Sequence, residues 1–143
     1  VIATDHAPHA ALEKLVEFSE APFGIIGLET SLALSLELRA AGMDLLTILE
    51  RMTIAPARIL GVEAGTLRPG APADVCVFDP DLAWTFTEDD IGSKSSNTPF
   101  LGHELTGRVL LTLLGGRAVW ESAEIRQRLV PPRENRTLET GAR

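Results

Sequence analysis

Chemically reactive side chains are concentrated near the start of the 143-residue chain, in the segment Asp5-His6-Ala7-Pro8-His9. A carboxylate and two imidazoles in one short segment are groups that bind metal ions and transfer protons. His9 follows Asp5 by four residues, and Pro8 restricts the backbone between them. We therefore interpret this segment as a candidate catalytic loop.

A second segment of interest, residues 22–30, carries Gly24 and Gly27 in an otherwise apolar stretch. Glycine lets the backbone turn tightly or approach a ligand closely, where a Cβ atom would obstruct. The alternative is an ordinary turn from a loop into a helix, and composition alone favours it. The residues themselves leave both interpretations open.

The elements that must position these segments are predicted to be a strand and several helices. Residues 1–4 are mostly β-branched and predict a buried strand that ends at Asp5. Residues 10–21 fit either a short helix or a flexible segment. Periodicity and capping signals predict three further helices. They are a largely buried helix over 29–41 that ends at Gly42, a helix over 45–53 capped by Asp44, and a short helix from Pro56 to Gly61.

The second half of the chain is predicted to be a small all-β region. Its strands are expected at 65–67, 73–79, 84–87, 107–114 and 117–121, the last two joined as a hairpin by Gly115 and Gly116. From Ser122 the chain is polar and is predicted to be a loose tail. The organisation expected is therefore α/β, divided into 1–61, 62–121 and 122–143.

Composition excludes some classes of partner. The net charge of −7 argues against nucleic acid and anionic membranes, which need a basic surface. No stretch approaches the roughly 20 apolar residues of a membrane span. The single cysteine, Cys76, is expected to be a small core residue in a reducing compartment, so we expect a soluble, cytoplasmic protein. Because the chain opens inside a predicted strand, we expect it to be the C-terminal piece of a longer protein.

Three blocks of the sequence resemble the dihydroorotases of the amidohydrolase superfamily, the long bacterial type. The blocks are residues 2–9 (IATDHAPH), 21–30 (APFGIIGLET) and 93–100 (SKSSNTPF). The resemblance implies the C-terminal part of a metal-dependent (β/α)8 barrel, followed by strands of a small β-sandwich. It implies the reversible cyclisation of N-carbamoyl-L-aspartate to dihydroorotate, with a small molecule as substrate.

The resemblance also implies roles for individual residues. Asp5 would be a zinc ligand and the general acid/base, and His9 and the backbone at Phe23 and Gly24 would contact the substrate's carboxylate. A catalytic zinc takes about three protein ligands, and the chain has no His-x-His pair. The other ligands of one or two Zn²⁺ ions are thus expected upstream. We expect the isolated chain to be inactive and to bind zinc weakly or not at all.

Other interpretations stay open. Allantoinases and dihydropyrimidinases share an acid at the corresponding strand end, although their loop differs from residues 22–27. A non-catalytic dihydroorotase-like subunit that scaffolds aspartate transcarbamoylase is a different class, as is an α/β domain without a site. The sequence leaves open a homodimer or an association with a transcarbamoylase. Lys94 and His103 are expected to be structural or solvated, and Asp74 and Asp79, which flank a predicted strand, are expected to be turn acids.

Overall fold

The computed structural model describes residues 1–129, with helices in the first half and an antiparallel sheet in the second. The helices are α1 (Ala11–Lys14), α2 (Ser31–Leu36), α3 (Leu45–Met52), α4 (Ile54–Leu60) and α5 (Ala123–Leu129), with 3-10 turns at Glu37–Arg39 and Glu88–Asp90. The strands are β1 (Val75–Thr85), β2 (Glu104–Leu114) and β3 (Arg117–Glu121), and the sheet order is β1-β2-β3. The α/β class is confirmed. Within residues 1–129, no helix is long and apolar enough to span a membrane.

The helical predictions are confirmed where capping signals mark the ends. The helix predicted over 29–41 forms as α2 and continues into the 3-10 turn Glu37–Arg39. Asp44 caps α3, because its side chain accepts a hydrogen bond of 3.0 Å from the Thr47 N–H. Gly61 ends α4 in the left-handed conformation with φ of +68°. Pro56 was expected to open α4, which instead begins two residues earlier at Ile54.

The strand predicted over residues 1–4 is wrong: the structure assigns these residues to no strand. A strand needs a partner that pairs with its backbone along the ladder. The described part of the chain gives residues 1–4 no such ladder, and the Ile2 N–H donates instead to the Arg51 carbonyl at 2.9 Å. The segment is therefore anchored to the end of α3 rather than to a sheet.

The second half of the chain differs from prediction in four places. The strands predicted at 73–79 and 84–87 form one strand, β1, with a register irregularity between Asp79 and Ala83. No strand forms at 65–67, and part of the predicted tail from Ser122 forms α5, the remainder after residue 129 lying outside the described residues. Cys76, expected in the core, is exposed on β1. The predicted hairpin is confirmed as β2 and β3, with positive φ at both turn glycines.

The core lies where α2 packs on the sheet. Ala33, Phe86 and Leu105 are buried together, and Trp84 meets Phe86 edge to face. Gly107 permits this packing, since a Cβ atom there would lie 2.2 Å from Cδ1 of Leu36. This arrangement fixes the start of α2, and therefore the loop 22–30 that precedes it.

Candidate active site

Asp5 lies at a strained turn with its carboxylate free. Its φ is +47°, the only positive φ of a non-glycine residue in the described chain. Aspartate tolerates this conformation better than most residues, at a cost in backbone strain that is commonly found at functional sites. The side chain is exposed, and no hydrogen bond or ion pair joins it to another residue of the range 1–129. Its carboxylate is thus available to a ligand or a proton.

The loop after Asp5 runs directly against the glycine-containing segment. The Ala7 N–H donates to the Ile25 carbonyl at 2.9 Å, and the Gly27 N–H donates to Nδ1 of His6 at 3.1 Å. A Cβ atom at Gly24, where φ is +104°, would lie 2.4 Å from the Cβ atom of Ala7. The glycine therefore permits close approach to the Asp5 loop, and His6 shapes that loop by accepting a backbone hydrogen bond.

The imidazole of His9 is held between two oxygen atoms. Nε2 lies 2.8 Å from the Phe23 carbonyl oxygen, and Nδ1 lies 3.5 Å from Oε2 of Glu13. A carbonyl oxygen only accepts hydrogen bonds, so Nε2 carries the proton in this arrangement. The structure thus brings His9 and Phe23 together.

The N–H groups of Phe23 and Gly24 donate to no acceptor among residues 1–129. The peptide between them is trans, so the Gly24 N–H points to the side opposite the Phe23 carbonyl. That N–H consequently points away from the imidazole of His9. The His9 Nε2–H and the Gly24 N–H can therefore bind the same carboxylate only after the Phe23 carbonyl leaves Nε2 and the peptide between Phe23 and Gly24 turns.

Asn97 is the residue that sequence reasoning missed. Its Nδ2 donates to the carbonyls of Ala7 at 2.9 Å and Gly24 at 3.2 Å, and its Oδ1 accepts from the His9 N–H at 3.1 Å. The block 93–100 drew attention to this region, but no local pattern indicated which of its residues reaches the site.

Lys14 was also missed, because residues 10–21 showed no clear pattern. Its Nζ donates to the Pro22 carbonyl and, at 2.8 Å, to the Gly24 carbonyl. Lys94 and His103 are exposed as expected, and Asp74 accepts the Gly115 N–H at the hairpin turn. Asp79 was wrongly expected at a turn, because it lies within β1 at the register irregularity, where it accepts the Asp81 N–H.

The described residues supply only part of a metal site. No group of three or more His, Cys, Asp and Glu side chains comes together within residues 1–129. Asp5 has a free carboxylate, while His6 and His9 are engaged with Gly27 and Phe23. A catalytic zinc takes about three protein ligands. Asp5 fits one ligand position, and the remaining ligands must come from residues other than those described.

We therefore predict that the 143-residue chain alone binds Zn²⁺ with an affinity weaker than about micromolar, because one carboxylate provides too few ligands. Isothermal titration of the isolated chain with zinc measures this directly. Asp5→Asn in the same chain serves as the control and should leave the weak titration almost unchanged. Tight one-to-one binding that disappears in Asp5→Asn would contradict the prediction.

Glu29 ties the start of α2 to the segment before Asn97. Its Oε1 accepts from the Ser93 N–H at 2.8 Å and from Ser93 Oγ at 2.5 Å. Burial tends to raise the pKa of Glu29, but hydrogen bonds from Ser93 and nearby backbone amides outweigh it, so the pKa lies below its usual value. The folded state thus favours the ionised carboxylate.

This shift predicts an acid-dependent loss of stability. A carboxyl group with a lowered folded pKa stabilises the fold above its unfolded pKa, about 4.3, and loses that contribution as pH falls through the folded value. Glu29→Gln in the full-length protein should cost about 1.5 kcal/mol at neutral pH. Urea unfolding from pH 7 to pH 3 should show the two proteins converging below about pH 4. If the difference in the free energy of unfolding between the two proteins stays constant from pH 7 to pH 3, ionisation of Glu29 does not contribute to stability as predicted.

Comparisons with known proteins agree with one another. A sequence profile described as the amidohydrolase family matches residues 1–119. The dihydroorotase of Geobacter metallireducens is 51% identical over 121 residues, which are 84% of this chain and 28% of that enzyme. A dihydropyrimidinase from Brevibacillus agri superposes with a TM-score of 0.73 at 23% identity, over 82% of this chain and 27% of its own. An L-hydantoinase (dihydropyrimidinase) from Arthrobacter aurescens superposes with a TM-score of 0.65 at 32% identity, over 72% of this chain and 24% of its own.

The chain spans a little more than a quarter of the length of the curated relatives it matches. The dihydropyrimidinase, at its low identity, shows a shared fold only. The family profile, in contrast, covers most of the chain, including Asp5, the glycine loop and Asn97. The chain therefore belongs to the amidohydrolase family.

Proposed function

We propose that the full-length protein containing this chain is a dihydroorotase, which interconverts N-carbamoyl-L-aspartate and dihydroorotate plus water in pyrimidine biosynthesis. The observation that carries the proposal is the free Asp5 carboxylate, held at a positive φ at the start of a loop whose Ala7 and His9 contact the glycine-containing segment. Support comes from the 51% identity of this segment to a dihydroorotase. In this proposal the chain supplies the C-terminal part of a (β/α)8 barrel and strands of a small β-sandwich.

Asp5 moves the proton in the proposed reaction. In ring opening, water adds to the ring carbonyl carbon, and the Asp5 carboxylate accepts a proton from that water. Asp5 then donates this proton to the ring nitrogen as the carbon–nitrogen bond breaks, which leaves a carboxylic acid and a ureido group; the acid releases the second proton of the water to solvent and becomes a carboxylate. Ring closure runs through the same positions in reverse. A bound metal ion, zinc in our proposal, supplies Lewis-acid polarisation and lowers the pKa of water to about 7.

His9 and the backbone at Phe23 and Gly24 bind the substrate's carboxylate. The proton on His9 Nε2 is held by the Phe23 carbonyl at 2.8 Å, so an arriving carboxylate exchanges places with that carbonyl. Displacement of the carbonyl turns the peptide between Phe23 and Gly24, and the free N–H groups of both residues then become donors to the same anion. Glycine at position 24 keeps this backbone unobstructed.

The test is turnover by the purified full-length protein, loaded with zinc. We expect it to form dihydroorotate from N-carbamoyl-L-aspartate and to reopen the ring, and to act on allantoin and hydantoin far more slowly. A hydantoinase-type activity is the second candidate, favoured by the 32% identity to the L-hydantoinase. Preferred turnover of hydantoin would support that candidate and contradict ours. No turnover of any of the three would favour a non-catalytic subunit.

A further inference from the structure

Asn97 joins three segments that are far apart in sequence. Its side-chain amide bonds to Ala7 and His9 in the Asp5 loop, to Gly24 in the glycine loop, and to Ser95 Oγ at 2.7 Å in its own segment. The sequence separations to Ala7, His9 and Gly24 are 90, 88 and 73 residues. The Asn97 main-chain carbonyl also accepts from the Ile26 N–H at 3.1 Å.

The orientation of this amide is determined by its partners. An asparagine side chain has two N–H donors and an oxygen with two lone pairs. Here both donors reach carbonyl oxygens, and the oxygen accepts from the His9 N–H. Ser95 Oγ lies 2.7 Å from the same oxygen and also contacts the His9 carbonyl, so its single proton is shared between these two acceptors. A flipped amide would face carbonyls with its oxygen and the His9 N–H with its own donors. Both donors and the oxygen of Asn97 thus have partners in only one orientation.

The contacts of Asn97 fall on the groups proposed to bind substrate. Asn97 and Lys14 both donate to the Gly24 carbonyl, which sets the direction of the following peptide. The same side chain holds the backbone of His9. Asp5 receives no contact from it in the described structure.

We propose that Asn97 is a positioning residue that holds the His9 loop and the Gly24 loop in register for the substrate's carboxylate. The effect of Asn97 on the reaction rests on the proposed function, whereas its effect on the relative position of the two loops does not. Loss of this side chain releases two loops at once, so it weakens substrate binding more than it slows proton transfer by Asp5. A misplacement of such groups by about 1 Å can cost up to about a hundredfold in efficiency.

The first test measures how firmly Asn97 holds the two loops, and it does not depend on enzymatic activity. In the full-length protein, Asn97→Ala should speed amide hydrogen exchange in peptides that cover residues 5–9 and 22–27, by about tenfold or more. Ser96→Ala is the matched control, since Ser96 is exposed in the same segment and its side chain contacts neither loop. Exchange in both regions that stays equal to the control would overturn the proposal.

The second test separates binding from turnover. Asn97→Ala should raise KM for dihydroorotate by about tenfold or more while kcat changes by less than about threefold. A purely structural role would lower the folded fraction and apparent kcat with KM unchanged, and that result would overturn the proposal. If Asn97→Ala does not fold, Asn97→Asp decides by the same criteria, because it keeps the size and loses both donors.

The two proposals fail separately. If the unsubstituted protein prefers hydantoin or allantoin, the proposed function is wrong, and the KM criterion is then applied to the preferred ring. If no ring is turned over, the exchange measurement alone decides the role of Asn97. Faster exchange confined to the two loops supports positioning, and unchanged exchange refutes it.

Discussion

Asp5→Asn in the full-length protein is expected to lower kcat for both ring opening and ring closure by about a thousandfold. Asparagine matches aspartate in size and tolerates the φ of +47°, so the loop should keep its conformation. It cannot, however, accept and return a proton at neutral pH. The measurement is steady-state turnover, together with the metal content of each protein, because Asp5 is also a proposed ligand.

Asp89→Asn is the matched control for this substitution. It makes the same chemical change at an exposed carboxylate in the 3-10 turn Glu88–Asp90, which is not among the proposed site residues. We expect its turnover to equal that of the unsubstituted protein. Turnover of Asp5→Asn within a few-fold of the control, with metal retained, would remove Asp5 from the mechanism.

Gly24→Ala should reduce kcat/KM by about a hundredfold, chiefly through KM. The added Cβ atom would lie 2.4 Å from the Cβ atom of Ala7, so the two loops must separate. Gly42→Ala is the control for the backbone effect alone, since φ there is +88° and no atom lies within 4 Å of an added Cβ. That variant should lose about 1 kcal/mol of stability and keep its activity.

A double substitution tests whether the clash itself is responsible. Ala7→Gly removes the atom that the new Cβ would strike, so Ala7→Gly with Gly24→Ala should recover most of the lost kcat/KM. The measurement is a double-mutant cycle on kcat/KM, in which residues in contact show a coupling term. Additive effects of the two substitutions would mean that the close approach of these loops does not control binding.

Local signals predicted the parts of the fold that depend on neighbouring residues. Asp44 and Gly61 mark helix ends because their effects act within one turn of the helix. The turn glycines of the hairpin are likewise local. The strand expected at residues 1–4 failed for the opposite reason: a strand depends on partners elsewhere, and the described residues provide none.

The site was predictable only in part for the same physical reason. Asp5 and His9 lie four residues apart and their types indicate chemistry directly, whereas the roles of Phe23 and Gly24 came from the resemblance of their segment to dihydroorotases. Asn97 makes its contacts across more than 70 residues, and a single asparagine in a polar segment carries no periodic or capping signal. The exposure of Cys76 was missed similarly, because alternation in β1 does not reveal which face is covered.

The most direct test of the central claim is a crystal structure of the full-length protein with zinc and N-carbamoyl-L-aspartate bound. Our account predicts a substrate carboxylate within about 3 Å of His9 Nε2 and of the Gly24 N–H, with the Phe23 carbonyl displaced. It also predicts an Asp5 oxygen within hydrogen-bond reach of the nitrogen that closes the ring. A substrate bound with Asp5 remote from that nitrogen, and with Phe23 still on His9, would contradict the account.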